Sequence, residues 1–508
     1  MRRIATRAGV IVFSLLWAAN ISWAQTPVLH LKPAKARTPA GSPRVAPVPQ
    51  QLFSSIPVAT RSEEARKFVE LSLEKYENVL LNDAVVNAQH ATEKDPHFAL
   101  SFAVLSFVSR QATPNAPALS KAKALLPRAS ADEQLLARWL INVQERNLLP
   151  AIVSMNELLK RYPQNKHVLY LTSTWLYGQQ DYERSVKMME DLLQLDGNFS
   201  PVMNMLGYAY IEASNPEPAK AVTALQRYIQ LEPSSPNPED SLGEVLRYVG
   251  DDQGSLEHFS AALQLDPTFF TSRLGLGDTL TLMGDYENAR EEYDKSFSIS
   301  GISRNLMHAK FQKTLVYFWE GHAAEGRVAL GQLIAEAKNQ NEPYAQFEAG
   351  LAAAMLSANA ADELGELRTL EKFLENSVPG MNDAFRGGAL ASALREHVRV
   401  AAQSGQLEDA ASAIAKLEQC AAQSGDLVVT NSYETARGFL LLAQGNLTDA
   451  AAQLSSDPRS PLAVQRLGWT QAKLGDSKAA AAAKKQFRYN RAPTVEWYLA
   501  THQNDFDY

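Results

Sequence analysis

From residue 61 onward, apolar residues recur three and four positions apart, within segments broken by short polar or glycine-bearing turns. That spacing gathers the apolar side chains into one stripe of a helix. Phe98–Leu126, Ala131–Tyr162, Arg304–Lys338 and Pro343–Asn376 each read as two such helices in succession. Alanine-rich runs such as Ala479–Ala483 add helix propensity. No segment alternates apolar and polar residues with a period of two between turn residues, so essentially no sheet is expected. The pattern predicts an all-α chain of about eleven antiparallel helix pairs from residue 61 to the end.

A longer period lies over the helical one. Pro236–Phe269 carries Leu242-Gly243, Gly250-Asp251, Ser255, Phe259, Ala262 and Leu265-Asp266-Pro267. Thirty-four residues later, without a gap, stand Leu276-Gly277, Gly284-Asp285, Ala289, Tyr293, Ser296 and Ile299-Ser300-Gly301. Each position has a physical task. Leu-Gly in the first helix sets an apolar contact beside a gap, so a second helix can come close. Gly-Asp makes the turn, because Gly tolerates a left-handed cap and Asp starts the next helix. Small residues at 255 and 289 let the two helices cross, and those at 262 and 296 let the next unit pack. Asp-Pro ends the second helix.

This pattern is similar to the tetratricopeptide repeat, a helix–turn–helix unit of 34 residues. Other stretches fit it more loosely. Lys166–Phe199 keeps Asp181-Tyr182 and Leu195-Asp196, but Gly197 replaces the proline, the Leu-Gly pair is missing and Gly178 stands two places early. Ser200–Ser235 carries Leu206-Gly207-Tyr208-Ala209-Tyr210, Ala221 and Leu231-Glu232-Pro233. Ala65–Phe98 fits through Phe68, Leu71, Ala84, Ala91 and Asp95-Pro96. Near the end come Gly405-Gln406-Leu407 with Ala410, Gly445-Asn446-Leu447 with Ala450, and Leu467-Gly468 with Gly475-Asp476 and Ala480. Residues 98–165 and 302–404 keep helical spacing without a fixed repeat register.

The resemblance implies a right-handed α-solenoid in which each unit buries its apolar face against its neighbours and leaves a concave groove. On this reading residues 61–301 form an array holding the best repeats, and 302–508 a divergent array. Thr494–Gln503 is expected to cap it, with Trp497-Tyr498 docking on the final pair.

The beginning of the chain follows other rules. Arg2, Arg3 and Arg7 precede the apolar run Val10–Ile21, and Ser22-Trp23-Ala24 offers small residues for cleavage before Gln25. Residues 1–24 therefore read as a Sec-type signal peptide, and the run is too short for a membrane span. This predicts a periplasmic or secreted protein. Residues 25–60 hold seven prolines and four basic residues with no acid, which predicts an extended basic linker. It reads either as a spacer or as an arm for an anionic surface. The whole chain carries a formal charge of −7, so the body after residue 60 is more acidic still. That balance argues against nucleic acid as a partner.

Catalytic spacing is missing from the sequence. There is no His-Glu-x-x-His, no phosphate loop and no Gly-x-Ser-x-Gly. Gly275 and Gly277 follow no strand and are accounted for by the repeat. His90 and His97 are poorly spaced for a shared metal. Cys420 is the one cysteine, so neither an internal disulfide nor a Cys-based zinc site is possible. It reads as a buried helix residue or as an exposed thiol that joins two chains. No cofactor, no metal and no enzymatic activity are expected.

In the family, ligand contacts fall on set positions of the first helix of each pair. Carried to the matching units, these positions hold Tyr170, Thr174, Tyr177, Asn204, Tyr208, Asp240, Glu244, Arg247 and Asp278, with Leu274 beside them. The lysines and asparagines of carboxylate-gripping members are not repeated here. The resemblance thus implies a groove with an aromatic end and an acidic end, suited to a basic and apolar segment. The same residues also read as ordinary exposed helix positions. The expectation is an exported scaffold that binds a protein or peptide, with envelope assembly or export as its setting. The alternatives are a carbohydrate-binding solenoid and an enzyme with its site in the divergent repeats.

Overall fold

The computed structural model of the protein describes residues 56–109, 116–145, 147–213, 215–299, 303–424 and 426–502. The predicted signal and all but the end of the linker lie outside them. Every regular element among the described residues is helical. The helices form twelve antiparallel pairs and one closing helix. They divide into two compact units, 56–205 and 206–502, with the division inside one helix. The sequence placed its division at 301/302 on repeat quality, which is a different property from compactness.

The first unit holds α1 (Glu63–Glu77), α2 (Leu81–Lys94), α3 (Ala99–Ser109), α4 (Ala116–Leu125), α5 (Ala131–Gln144), α6 (Leu148–Arg161), α7 (Lys166–Gly178), α8 (Tyr182–Leu195) and the start of α9 (Ser200–Glu212). Its core joins Leu73, Phe98, Leu100, Leu136 and Leu140. Residues at the end of the predicted linker pack here. Ile56 is buried, the Ala59 N–H donates to Glu133 Oε2 (2.8 Å), and Thr60 Oγ1 donates to Asp95 Oδ2 (2.5 Å).

The second unit continues with α10 (Pro218–Leu231), α11 (Pro236–Val249), α12 (Asp252–Leu265), α13 (Phe270–Met283), α14 (Tyr286–Ile299), α15 (Ser303–Trp319), α16 (Ala323–Asn339), α17 (Pro343–Met355) and α18 (Ala360–Leu374). It ends with α19 (Asp383–Gln403), α20 (Leu407–Gln423), α21 (Leu427–Ala443), α22 (Leu447–Leu454), α23 (Pro461–Lys473), α24 (Ser477–Arg488) and α25 (Val495–His502). A large core runs from Met307 to Ala500. The pairs without a clear register are therefore ordinary helix pairs. Several are longer: α15, α16, α20 and α21 have 17 residues and α19 has 21, against 14 in α11 to α14. Extra turns of helix stretch the repeat beyond 34 residues and erase its register.

The repeat's turn works as its residues require. Gly250 ends α11 at φ 86°, and Asp251 accepts from the Gly254 N–H to start α12. Between α7 and α8 the same left-handed place falls to Gln180, at φ 59°. That is why Gly178 looked displaced. The Leu-Gly pair also behaves as read. A methyl group on Gly277 would lie 2.6 Å from Tyr293 Cε1, inside contact distance. The closing helix splits its expected contacts. Trp497 stacks on Phe487 of α24 (5.3 Å between centroids), whereas Tyr498 meets Trp319 of α15.

Candidate functional site: a polar ladder on the first helices

The matching positions of successive repeats in the second unit come together. Glu244, Asp278 and Gln312 follow at intervals of thirty-four residues on α11, α13 and α15. Neighbouring first helices bring these positions within bonding reach. Tyr208 on α9 donates to Glu244 Oε2 (2.9 Å). Arg247 donates to Asp278 Oδ2 (2.6 Å) and reaches Glu244 Oε1 at 3.5 Å. Asp278 Oδ1 accepts from Tyr293 Oη (2.9 Å) and Gln312 Nε2 (3.3 Å). Tyr248 donates to Glu244 Oε1 (2.7 Å). The result is one hydrogen-bonded ladder across four first helices, joined by Tyr293 of α14.

Burial sets the electrostatics. Asp240, Arg247 and Asp278 are buried, while Tyr208 and Glu244 are half-buried. Asp240 accepts from Ser272 Oγ (2.6 Å) and Thr271 Oγ1 (3.1 Å). Burial, with the nearby Glu244 charge, pushes its carboxyl up to about 7. Burial also raises the Asp278 carboxyl, against the pull of Arg247 and Tyr293. Burial pushes the His308 pKa down, but the Glu348 charge, its 2.9 Å hydrogen bond and the Asp278 charge together raise it. The acids expected to form an open acidic end are thus turned to neighbours of the same chain. Tyr208 and Glu244 are its more accessible members.

Tyr170, Thr174, Tyr177 and Asn204 lie in the first unit. Tyr170 is buried, donates to the Glu77 carbonyl (3.2 Å) and meets Phe199 edge-on (5.6 Å). Tyr177 is buried edge-on to Tyr182 (5.5 Å). Thr174 is half-buried and donates to the Tyr170 carbonyl (3.0 Å), and Asn204 is buried. Tyr170 and Tyr177 therefore offer no open ring face to a sugar. Leu274 packs with Tyr293 and Val316 in the core.

A second polar constellation was not anticipated from the sequence. On α19, Arg395, Glu396, His397 and Arg399 are all buried. Arg399 donates to Glu396 Oε2 (2.6 Å) and Glu363 Oε1 (2.8 Å). Arg395 joins Glu396 (3.0 Å), Asp457 (3.4 Å) and Glu496 of α25. Burial raises the Glu363 carboxyl to about 7 despite Arg399. Burial works on Glu396 too, but Arg399 and Arg395 outweigh it and hold that carboxyl low. The signal was present: four chargeable residues among Ala391, Ala393, Leu394, Val398 and Ala401 on a helix otherwise fit for burial. Their mutual pairing makes this constellation a structural link between α18, α19, α25 and the α22–α23 turn.

Among the described residues, no group of three or more His, Cys, Asp or Glu side chains is placed to hold a metal ion. Cys420 is half-buried against the core of the second unit. No described helix is long and apolar enough to cross a membrane.

Comparison with known proteins supports the repeat directly at one place. Residues 271–301, which span α13 and α14, match the tetratricopeptide repeat family. Among solved structures, a tetratricopeptide repeat protein from Parabacteroides merdae is 14% identical, over 53% of this chain and 92% of that one, with a TM-score of 0.34. A MamA fragment from Desulfovibrio magneticus is 18% identical, over 32% of this chain and 92% of that one, with a TM-score of 0.29. YrrB, described as a tetratricopeptide repeat protein with an unusual peptide-binding site, is 14% identical, over 36% and 91%, with a TM-score of 0.27. No curated protein matches the chain.

Proposed function

We propose that this tetratricopeptide-repeat chain is a non-catalytic scaffold, exported to the periplasm or beyond, that holds a protein or peptide partner against its first helices. The observation that carries this reading is the ladder from Tyr208 to Gln312. Corresponding positions of consecutive repeats hold polar side chains in fixed relative geometry, which is what recognition of an extended chain requires. Glu244 is the accessible acceptor of that ladder, so a segment with basic and apolar side chains fits it best. The address rests on the arginine-led apolar start and on the small residues before Gln25. A role in envelope assembly or export follows from that address.

The test uses the full chain as bait in an envelope extract, beside Glu244→Gln. The variant keeps size and shape and removes the half-buried charge. A partner that binds the parent and loses at least tenfold in affinity to the variant supports the reading. Equal binding moves the site elsewhere on the chain. Absence of any partner from both overturns the scaffold. N-terminal sequencing of the exported protein should begin at Gln25, and recovery of uncleaved protein in the cytosol would overturn the address.

A further inference from the structure

The second unit holds its own last segment against its first helices. Arg491 grips Asp252 with both terminal nitrogens, one at 2.8 Å, and donates to the Arg247 carbonyl (3.4 Å). Lys485 donates to Asn215 Oδ1 (3.1 Å), and Arg459 pairs with Glu212 (3.2 Å). Tyr498 and His502 stack on each other at 4.3 Å and both meet the Trp319 ring edge-on, at 5.5 and 5.4 Å.

The acceptors share a location. Glu212 ends α9, the Arg247 carbonyl lies in the last turn of α11, Asp252 opens α12 just beyond, and Trp319 ends α15. This edge collects carbonyl-rich helix ends and acids, which favour cations. The segment that meets it is basic: Lys484, Lys485, Arg488 and Arg491 stand within eight residues with no acid among them. The two sides of the closing helix differ. Toward its own end of the unit, Trp497 is buried on Phe487, Glu496 is bound by Arg395 and Ser460, and the Ala500 carbonyl accepts from Gln465. Toward the early helices the contacts are partly buried ion pairs and one aromatic group.

We propose that this edge, built from Asn215, Asp252 and Trp319, is a docking surface for a basic segment with an aromatic residue, and that residues 484–502 are its internal occupant. The chain itself states the chemistry the surface takes: an arginine on Asp252 and, seven residues later, a ring against Trp319. The external partner displaces an occupant of the same kind. The inference rests on the scaffold reading and narrows its partner.

The experiment measures binding of a fluorescein-labelled synthetic peptide of residues 484–502 to full-length chains by anisotropy. Arg491→Glu repels the occupant and frees the surface, so it should bind the peptide at least tenfold more tightly than the parent. Asp252→Lys also releases the occupant but reverses the surface, and should bind no better than the parent. The double variant Asp252→Lys/Arg491→Glu restores the pair in reverse and should match the parent. Equal binding by parent and Arg491→Glu overturns the proposal, as does tight binding by Asp252→Lys. If Arg491→Glu loses helical circular dichroism, Arg491→Gln frees the same edge at Asp252 and is judged by the same two outcomes. Partner capture that survives a failure here leaves the scaffold reading standing. Peptide binding without any captured partner defeats the scaffold reading alone.

Discussion

Asp240→Asn should make the protein more stable at pH 8 and not at pH 4. The parent carboxyl is 8% exposed, and its hydrogen-bond partners are two hydroxyls, Ser272 and Thr271, with no cation among them. Burial comes first among the causes that move its pKa from an ordinary 3.8 to about 7. In the unfolded chain the group titrates near ~3.9. The folded state therefore binds the proton more tightly. That contribution to stability is complete below about pH 4 and is lost as the pH rises through about 7. Each pH unit is worth about 1.4 kcal/mol, so the ionised parent forgoes up to about 4 kcal/mol at pH 8. An amide has no charge to desolvate. Its oxygen still accepts from Ser272, and the Thr271 hydroxyl turns to accept from its nitrogen.

Urea unfolding of parent and variant, followed by far-ultraviolet circular dichroism between pH 4 and 8, reads the difference. The variant should gain about 2–4 kcal/mol at pH 8, where the lower figure allows for water reaching the site. At pH 4 the two should nearly coincide. A variant that loses stability at pH 8 would refute the reasoning, because Asp240 would then be held by its charge rather than in spite of it. So would a difference that does not change with pH.

Two further substitutions test the repeat itself. Gly277→Ala drives a methyl group to 2.6 Å from Tyr293, a buried ring whose hydroxyl is tied to Asp278, so the ring has no room to yield. Thermal unfolding should show a loss of about 1–3 kcal/mol from overpacking, although alanine is the better helix former. Gln180→Gly relieves a non-glycine residue at φ 59° and should add about 1 kcal/mol, and a loss of stability there would mean that the Gln180 side chain holds the turn.

What could be read from the sequence was what is local. Gly250-Asp251 makes its turn through the conformation of one residue and the side chain of the next, and both are visible as letters. Leu242-Gly243 and Leu276-Gly277 announced close helix approach because only the missing side chain permits it. The register vanished where helices lengthened, as in α15, α16 and α19 to α21, because an added turn leaves helical spacing intact while shifting every diagnostic position. Helix pairs therefore survived in the reading and repeats did not. Likewise, position in the repeat set Tyr208, Glu244, Arg247 and Asp278 along one groove, but burial comes from contacts far apart in sequence. The pairing of Arg491 with Asp252 spans 239 residues, and no periodicity reports it.

That division bears on how the two candidate surfaces recognise anything. Along the ladder the charges are already matched: Arg247 stands between Glu244 and Asp278, and tyrosines cap the carboxylates. A partner there replaces or joins hydrogen bonds set in place by packed helices, so geometry discriminates and net charge contributes little. Along the edge a partner brings its own cations to the acids, and salt screens such pairs within about 8–10 Å at ordinary ionic strength. Binding at the edge should weaken as salt rises, while binding at the ladder should hardly change. One chain then carries a salt-sensitive surface occupied by its own basic end and a salt-insensitive one behind it. The salt response of a captured partner tells which of them holds it.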